Sequence, residues 1–213
     1  MFKIRSIIAL LIILVLTVYG CSQKENTVSS EKEVTKNESK VEGKSKVKKE
    51  SNTLNAQLLE NNLENQDIVV ENGRYLIRSE EYKSLYPDAL QAYIRNNTGK
   101  DIKDITFGFV AWDKNGLPIK IKRSVDFSDG NYFSGVKGEA VNIAPGDLYG
   151  EDTGMELDKG MDIEYFKPII ASYEDFEGNT WENKELKNFL KIYEGKRLKD
   201  IEGYEDYIFY KNN

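Results

Sequence analysis

The chain has 213 residues, a formal charge of −6, no histidine and one cysteine. Without histidine it cannot form a Ser-His-Asp triad, a Cys-His pair or a histidine-ligated zinc site, and one cysteine cannot form an internal disulfide. Any folded part of the chain must therefore be stabilised by a hydrophobic core.

The charge is unevenly distributed. Residues 54–213 carry 20 Lys and Arg against 30 Asp and Glu, a formal charge of −10, whereas residues 22–53 carry 8 against 6. An acidic domain repels the phosphate backbone of nucleic acids. We therefore predict that nucleic acid is not a partner, and that a membrane attachment depends on lipid rather than on charge.

The first 20 residues have the pattern of a lipoprotein signal peptide. Lys3 and Arg5 precede an apolar run, Ile7–Val18, in which only Thr17 is polar. A membrane-spanning helix needs about 20 apolar residues, so this run is short for a span. We predict that residues 1–20 are removed on export.

Val18-Tyr19-Gly20-Cys21 resembles the lipobox of bacterial lipoproteins, in which a small residue precedes a cysteine that receives diacylglycerol. The resemblance implies that Cys21 is the lipidation site and that the protein is anchored to the outer face of the cell membrane. Tyr19 departs from the smaller residue usual at its position. The alternative is an ordinary cysteine after an uncleaved anchor.

Residues 21–53 are predicted to be the lipidated cysteine followed by a disordered, charged linker. Ser22–Thr53 contains no aromatic residue, Leu, Ile or Pro, and only four valines. Such a segment cannot bury enough apolar surface to offset the entropy of ordering. Fully stretched, it spans about 110 Å and lifts the following domain away from the lipid.

Residues 54–213 are predicted to form one mainly β domain, with a core at about 67–195, because short segments of alternating polarity follow one another between turns. Asn72-Gly73 predicts a tight hairpin between Ile68–Val70 and Tyr75–Arg78. Apolar residues on both faces of 105–112 predict a central strand that is partly covered on both sides. Further strands are predicted at 90–95, 117–121, 140–143, 154–157 and 167–176, with a possible last strand after residue 196.

Two segments have helical spacing instead. Leucines at 54, 58, 59 and 63 predict a short amphipathic turn. A second stripe predicts a helix that begins near Asn183, as N-cap, and stops at Gly195. The stripe consists of Leu186, Phe189, Leu190 and Tyr193.

Three motifs together are similar to FxLYD-like domains of Gram-positive lipoproteins and membrane-anchored proteins. They are Asn96-Asn97, the hairpin Ala111–Pro118 and Trp181-Glu182-Asn183, and the resemblance covers about Tyr75–Gly195. It implies an immunoglobulin-like antiparallel β-sandwich with a short C-terminal amphipathic helix. It implies no catalytic residue, and fold likeness alone does not license a function.

Oxygen-rich loops are the remaining candidates for ligand chemistry. Asp113-Lys114-Asn115-Gly116 has the start of a calcium loop but lacks the later carboxylates, so a hairpin turn is favoured. Ser128–Asn131 and Gly150–Asp152 are favoured as turns for the same reason. We therefore predict no metal, no cofactor and no catalytic residue.

These features favour a non-catalytic binding or accessory module at the cell envelope. A wall polymer or another surface protein is the expected partner, and the 13 tyrosines offer side chains that stack on sugars or contact a protein. The alternative is a histidine-independent envelope glycan hydrolase that uses Asp and Glu.

Replacing Cys21 with alanine tests the anchor. Each buried methylene contributes about 0.8 kcal/mol to membrane binding, so two acyl chains hold a protein durably where none does. We expect Cys21→Ala to leave the membrane fraction on cell fractionation, and Ser22→Ala to stay in it. If Cys21→Ala sediments with the membranes as firmly as the unchanged protein, Cys21 is not the anchor.

Overall fold

The computed structural model describes residues 54–78, 80–81 and 85–211. All of them belong to one compact unit, residues 50–213. The leader, Cys21 and the linker up to residue 53 lie outside the described residues. No helix in the described ranges is long and apolar enough to cross a membrane.

The described part is mainly β, as the alternating segments predicted. The elements in chain order are α1 (Ala56–Glu64), β1 (Ile68–Leu76), β2 (Ala89–Asn96), β3 (Ile102–Trp112), β4 (Pro118–Ile119), β5 (Ser134–Gly138), β6 (Leu148–Tyr149), β7 (Met155–Glu156), β8 (Tyr165–Asp175), β9 (Thr180–Glu182), α2 (Leu186–Tyr193), two 3-10 helices (Leu198–Asp200 and Glu205–Tyr207) and β10 (Phe209–Tyr210).

The strands form two antiparallel sheets. In the first sheet β2 lies between β1 and the short strands β6 and β7. In the second, β3 and β8 form the centre, β10 and β9 flank β8, and β4 and β5 flank β3. Pro118 begins edge strand β4, where a missing N–H costs no ladder hydrogen bond. The larger core cluster takes side chains from both sheets, including Leu90, Ile94, Phe107 and Phe109.

The opposite face of the second sheet is buried as well, which confirms the prediction for β3. Val110 and Trp112 project to this face and pack with α1, α2 and the C-terminal segment in a second core cluster. Gly108 lies on the same face because a Cβ there would come within 2.5 Å of the Phe133 ring. The domain therefore has three layers: the first sheet, the second sheet and a helical layer.

Both predicted helices are present. Asn55 caps α1, since its Oδ1 accepts a hydrogen bond from the Leu58 N–H at 2.9 Å. Gly195 follows α2 with a φ of 65°, which fits a helix stop. Asn183 lies before α2 and accepts a bond from the Glu185 N–H, while its own amide donates to the Ile170 carbonyl at 2.7 Å. The N-cap of α2 is Glu185, whose side chain makes no capping bond, so the predicted N-cap at Asn183 is wrong. Asn183 instead joins the turn before α2 to β8.

The predicted Asn72-Gly73 hairpin is wrong. β1 runs through this point and pairs with β2 on both sides of a bulge between Val70 and Asn72. The Asn72 side chain accepts a bond from the Gly73 N–H, and the Phe209 ring lies where a Gly73 side chain would be. Asn-Gly here serves a bulge and a close ring contact rather than a turn.

The predicted strand at 140–143 is also wrong. Ala140 and Asn142 have φ angles of 52° and 49°, which extended strands do not adopt, and only an isolated bridge joins Ile143 to Ile102. The strand that pairs with β3 lies earlier, at Ser134–Gly138. Two glycines within it weakened the strand pattern in the sequence.

A buried aspartate organises the turn between β8 and β9. Asp175 accepts hydrogen bonds from the N–H groups of Glu177 and Asn179, from the Asn179 amide and from Lys100 Nζ at 3.2 Å. The bond from the Asn179 side chain, helped by the others against the effect of burial, lowers the pKa of Asp175 to about 2. The ionised carboxylate is therefore part of the folded turn.

Replacing Asp175 with asparagine is expected to flatten the acid dependence of stability. Because the folded pKa is lower than the unfolded pKa of about 3.9, the carboxylate stabilises the fold above about pH 4, and this contribution is lost as the pH falls towards 2. Urea unfolding between pH 7 and pH 2 measures it. Asp129→Asn, in an exposed loop, is the control. An unchanged pH profile in Asp175→Asn would contradict the assignment.

Candidate functional site

Two loops carry large apolar side chains into solvent. In the β1–β2 loop, Leu85 is 73% exposed, and Ile77 and Tyr86 are both more than half exposed. In the β4–β5 loop, Phe127 is 96% exposed and Val125 is 80% exposed. Large apolar side chains gathered on a surface are typical of sites that contact a ligand or a partner.

The β4–β5 loop is held in shape by hydrogen bonds. The Asp126 N–H donates to the Arg123 carbonyl, and the Ser128 N–H donates to Asp126 Oδ1 at 2.8 Å. Hydrogen bonds from the backbone and the side chain of Ser128 lower the pKa of Asp126. Val125, which is β-branched, has a φ of 64°, a conformation that costs on the order of 1–3 kcal/mol. The surrounding bonds maintain this strain and turn Val125 and Phe127 outward.

The two loops meet at a pocket of about 380 Å³, to which the β6–β7 loop adds a third wall. Arg78 and Pro87 line it from the first loop, and Arg123 and Ser124 line it from the second. The Ser124 N–H donates to the Glu156 carbonyl at 3.0 Å, which fixes one wall to β7. The exposed apolar side chains therefore belong to loops that share one concave site, which we call the loop-end pocket.

Two arginines give the loop-end pocket its cationic groups. The Arg78 guanidinium lies 5.9 Å from the centre of the Tyr86 ring, and Arg123 donates a long bond of 3.4 Å to the Gly135 carbonyl. Asp152 and Glu156 line the same pocket. Yet neither arginine forms an ion pair with any carboxylate in the described ranges. The charge of Arg123 also acts on Asp126, and the remaining guanidinium N–H groups of both arginines can donate to a ligand.

A buried amide forms another wall of this pocket. Gln91, on β2, is 1% exposed, and its amide nitrogen donates to the carbonyls of Glu151 and Thr153 at 2.8 and 3.3 Å. These two bonds fix the orientation of the amide. Its Oε1 is then buried without a donor, the one such side-chain atom among the described residues. Buried acceptors normally have a donor, so this atom marks a place where one is missing.

A second cluster of titratable groups lies under the helical layer. Lys167, on β8, donates to Glu60 Oε2 of α1 at 2.8 Å and to the Tyr207 carbonyl at 2.9 Å. The Tyr193 hydroxyl donates to Glu60 Oε1 at 3.2 Å. Burial lowers the pKa of Lys167 against the attraction of Glu60, and burial also raises the pKa of Tyr193.

This buried ion pair is a structural clip. Both charges are almost fully buried, a cavity of about 270 Å³ adjoins them, and each is satisfied by the other and by neighbouring polar groups. The pair fixes α1, the first element of the domain, to the centre of the second sheet. The ion pair connects α1 to β8, and each of its charged groups has a partner, so its role is structural.

The residues singled out in the sequence lie elsewhere. Trp112 is fully buried and donates from its indole nitrogen to the Lys196 carbonyl, and Trp181 stacks on Tyr173. Asp113 organises the β3–β4 turn by accepting bonds from the N–H groups of Asn115 and Leu117. Nowhere in the described ranges do three His, Cys, Asp or Glu side chains gather as metal ligands.

Sequence reasoning missed the loop-end pocket. Val125-Asp126-Phe127 lies outside every predicted element, and Gln91 lies within the strand predicted at 90–95. The available signal was a pair of apolar residues interleaved with turn-forming Asp, Ser and Gly at 124–130. Apolar residues with no strand or helix to bury them indicate an exposed patch.

Two packed sheets, a helical layer and a loop end with a pocket define a small, mainly β domain. Residues 89–196 match a family of unknown function, DUF5780, and the chain belongs to this family. The match includes Gln91, Arg123 and Phe127 but begins after Arg78 and the exposed residues of the β1–β2 loop. It also excludes α1, which carries Glu60.

A solved structure has a similar fold. The domain is similar to a hypothetical protein from Peptoclostridium difficile 630, with a TM-score of 0.52 and 17% sequence identity, over 67% of this chain and 97% of the other. At this identity the likeness concerns the fold alone. No curated protein matches the sequence.

Replacing Glu60 with glutamine tests the buried clip. The change leaves the Lys167 ammonium without its counter-charge, and breaking a buried pair in this way costs about 3–5 kcal/mol. We expect Glu60→Gln to lower the free energy of urea unfolding by that amount. Adding Lys167→Met should recover most of the loss, since it removes the uncompensated charge. A single variant as stable as the unchanged protein would contradict the clip.

Proposed function

We propose that the protein is an extracytoplasmic lipoprotein, held on the cell membrane by diacylglycerol on Cys21, whose domain is a non-catalytic binding module. In this proposal the domain is an immunoglobulin-like sandwich of the FxLYD-like kind. Two antiparallel sheets that share one core, with an amphipathic helix near the C-terminus, support that assignment. The partner is a cell-wall polymer or another surface protein.

The exposed loop end is the observation that carries the binding role. Phe127 is 96% exposed at the tip of a hydrogen-bonded, strained loop, and Leu85 is 73% exposed on the loop across the pocket. Burying a phenylalanine or leucine side chain contributes about 1.5–3 kcal/mol. A partner that covers these side chains would remove them from water, and this gain would account for their exposure in the free protein.

The electrostatics favour binding over glycan hydrolysis. Among the described carboxyl groups, those with a shifted pKa all have it lowered, by hydrogen bonds or by a nearby cation. A general acid for glycoside cleavage needs a carboxyl group whose pKa is raised by burial. The arginines of the loop-end pocket suit recognition of a bound group instead.

The arrangement of the chain also supports the proposal. α1 begins at Ala56, directly after the predicted linker, and its clip to β8 anchors that end of the domain. A pull on the linker would therefore act first on α1 rather than on the binding loops. The linker supplies the reach, and the rigid sheets present the loop end.

Replacing Phe127 with serine is expected to reduce binding of envelope material. The full-length protein, solubilised in detergent and immobilised, is incubated with purified cell-wall and membrane-protein fractions, and the retained material is measured. We expect Phe127→Ser to weaken retention about tenfold or more, because the phenyl ring contributes buried area only in the complex.

Phe176→Ser is the matched control, since Phe176 is 58% exposed but lies in the β8–β9 turn. Both substitutions remove an exposed phenyl ring, so both should leave the unfolding free energy nearly unchanged. Equal retention by the two variants would overturn the loop end as the binding surface.

A further inference from the structure

We infer that the loop-end pocket binds an oxyanion that carries neighbouring hydroxyl groups, such as the phosphate ester or the carboxylate of a polyol or sugar. This inference rests on the proposed binding function and names the chemistry of its ligand. The oxyanion corresponds to the two arginines of the pocket, and the hydroxyl groups correspond to its carboxylates and to Gln91.

The arginines provide the oxyanion contact. A guanidinium group binds phosphate or carboxylate oxygens through paired N–H donors, more specifically than an ammonium group does. Arg78 and Arg123 enter the pocket from two different loops and neither is paired with a described carboxylate. An oxyanion placed between them joins the two loops.

The carboxylates of the pocket limit the charge of the ligand. Asp152 and Glu156 balance the two arginines, so the pocket has no net formal charge and does not attract a polyanion as such. Carboxylates accept hydrogen bonds from hydroxyl groups. In a ligand with one oxyanion beside hydroxyl groups, the oxyanion contacts the arginines and the hydroxyl groups donate to the carboxylates. Inorganic phosphate matches the arginines alone.

Gln91 supplies an independent observation. Its Oε1 is buried without a donor, while two backbone carbonyls hold the amide nitrogen on the other side. An unpaired acceptor costs free energy that a hydroxyl donor recovers. Gln91 lines the same pocket, and in this inference a hydroxyl group of the ligand is the donor to its Oε1.

The size of the site fits this class of ligand. A volume of about 380 Å³ lies near the lower end of the range for small-molecule sites, about 300–1,000 Å³. A polyol or single sugar unit with its anionic group fills such a space. The exposed Tyr86 ring lies beside Arg78, which lines the pocket, and an aromatic face there can pack against the apolar side of a sugar or polyol chain.

The test is a titration of the full-length protein in detergent, followed by calorimetry and by NMR of the arginine Nε–H and glutamine side-chain amide groups. The probes are glycerol 3-phosphate, glycerate, inorganic phosphate, glycerol and a purified glycerol-phosphate polymer. We expect at least one of the two hydroxylated anions to bind more tightly than inorganic phosphate, with shifts at Arg78, Arg123 and Gln91. Glycerol alone should not bind.

Charge-removing variants decide whether the pocket is responsible. Arg78→Gln and Arg123→Gln should each weaken binding of the hydroxylated anions about tenfold. Lys120→Gln removes a nearby exposed cation outside the pocket and should leave the affinity unchanged. Equal affinity in all three variants, or no saturation by either hydroxylated anion at about 10 mM, would overturn the inference.

The polymer probe distinguishes a wall polymer from a small metabolite as the source of the ligand. Comparison with Phe127→Ser distinguishes failure of the pocket inference from failure of the proposed binding function. Polymer binding that is lost in Arg78→Gln supports a wall polymer as the source, whereas binding of the free esters alone supports a small metabolite. If envelope material needs Phe127 but is retained equally by the arginine variants, and no probe binds, the pocket inference fails while the binding function stands. If the probes bind but Phe127→Ser retains envelope material fully, the proposed loop-end surface fails and the pocket stands.

Discussion

β3 and β8 pair in the middle of the second sheet, and both of their faces are covered. One face meets the first sheet through Phe107, Phe109 and Phe166, and the other meets the helical layer through Val110, Trp112 and Ile169. Each such side chain contributes about 1.5–3 kcal/mol by leaving water. Without a disulfide available within the chain, this double burial is the main source of stability.

Covering the outer face requires the helical layer to stay in place. α2 contributes Phe189 and Tyr193 directly, but α1 is only nine residues long and precedes the first strand. The Glu60–Lys167 pair fixes α1 to β8 in a direction that apolar contact does not specify. A lysine at a core position of a central strand is costly by itself, so the strand and α1 depend on each other.

The rigid centre explains how strained loops are tolerated at one end. The β1–β2, β4–β5 and β6–β7 loops meet there, and backbone bonds such as Ser124 to Glu156 connect them to the strands. Because the sheets set the positions of the loop ends, Val125 can keep a positive φ angle and Phe127 can remain in solvent. The stable core therefore fixes the positions of the exposed loops at this end of the domain.

Local features of the fold follow from the amino-acid pattern of single segments. Apolar residues on both faces of 105–112 and helical spacing at 186–193 predicted the central strand and α2, because each pattern reports which faces of one segment are buried. The resemblance of residues 18–21 to a lipobox and the polar composition of residues 22–53 are also local patterns, and the prediction of an anchor at Cys21 depends on them.

Contacts between residues far apart in the chain become apparent in the folded domain alone. Asn72-Gly73 has a turn sequence but lies in a bulge, because β1 continues along β2 and Phe209 occupies the space above Gly73. The pairing of Glu60 with Lys167 and the meeting of Arg78, Gln91 and Arg123 join residues far apart in the chain. Periodicity describes the faces of one segment and carries no information about which other segment will cover them, so contacts of this kind follow only from the folded arrangement.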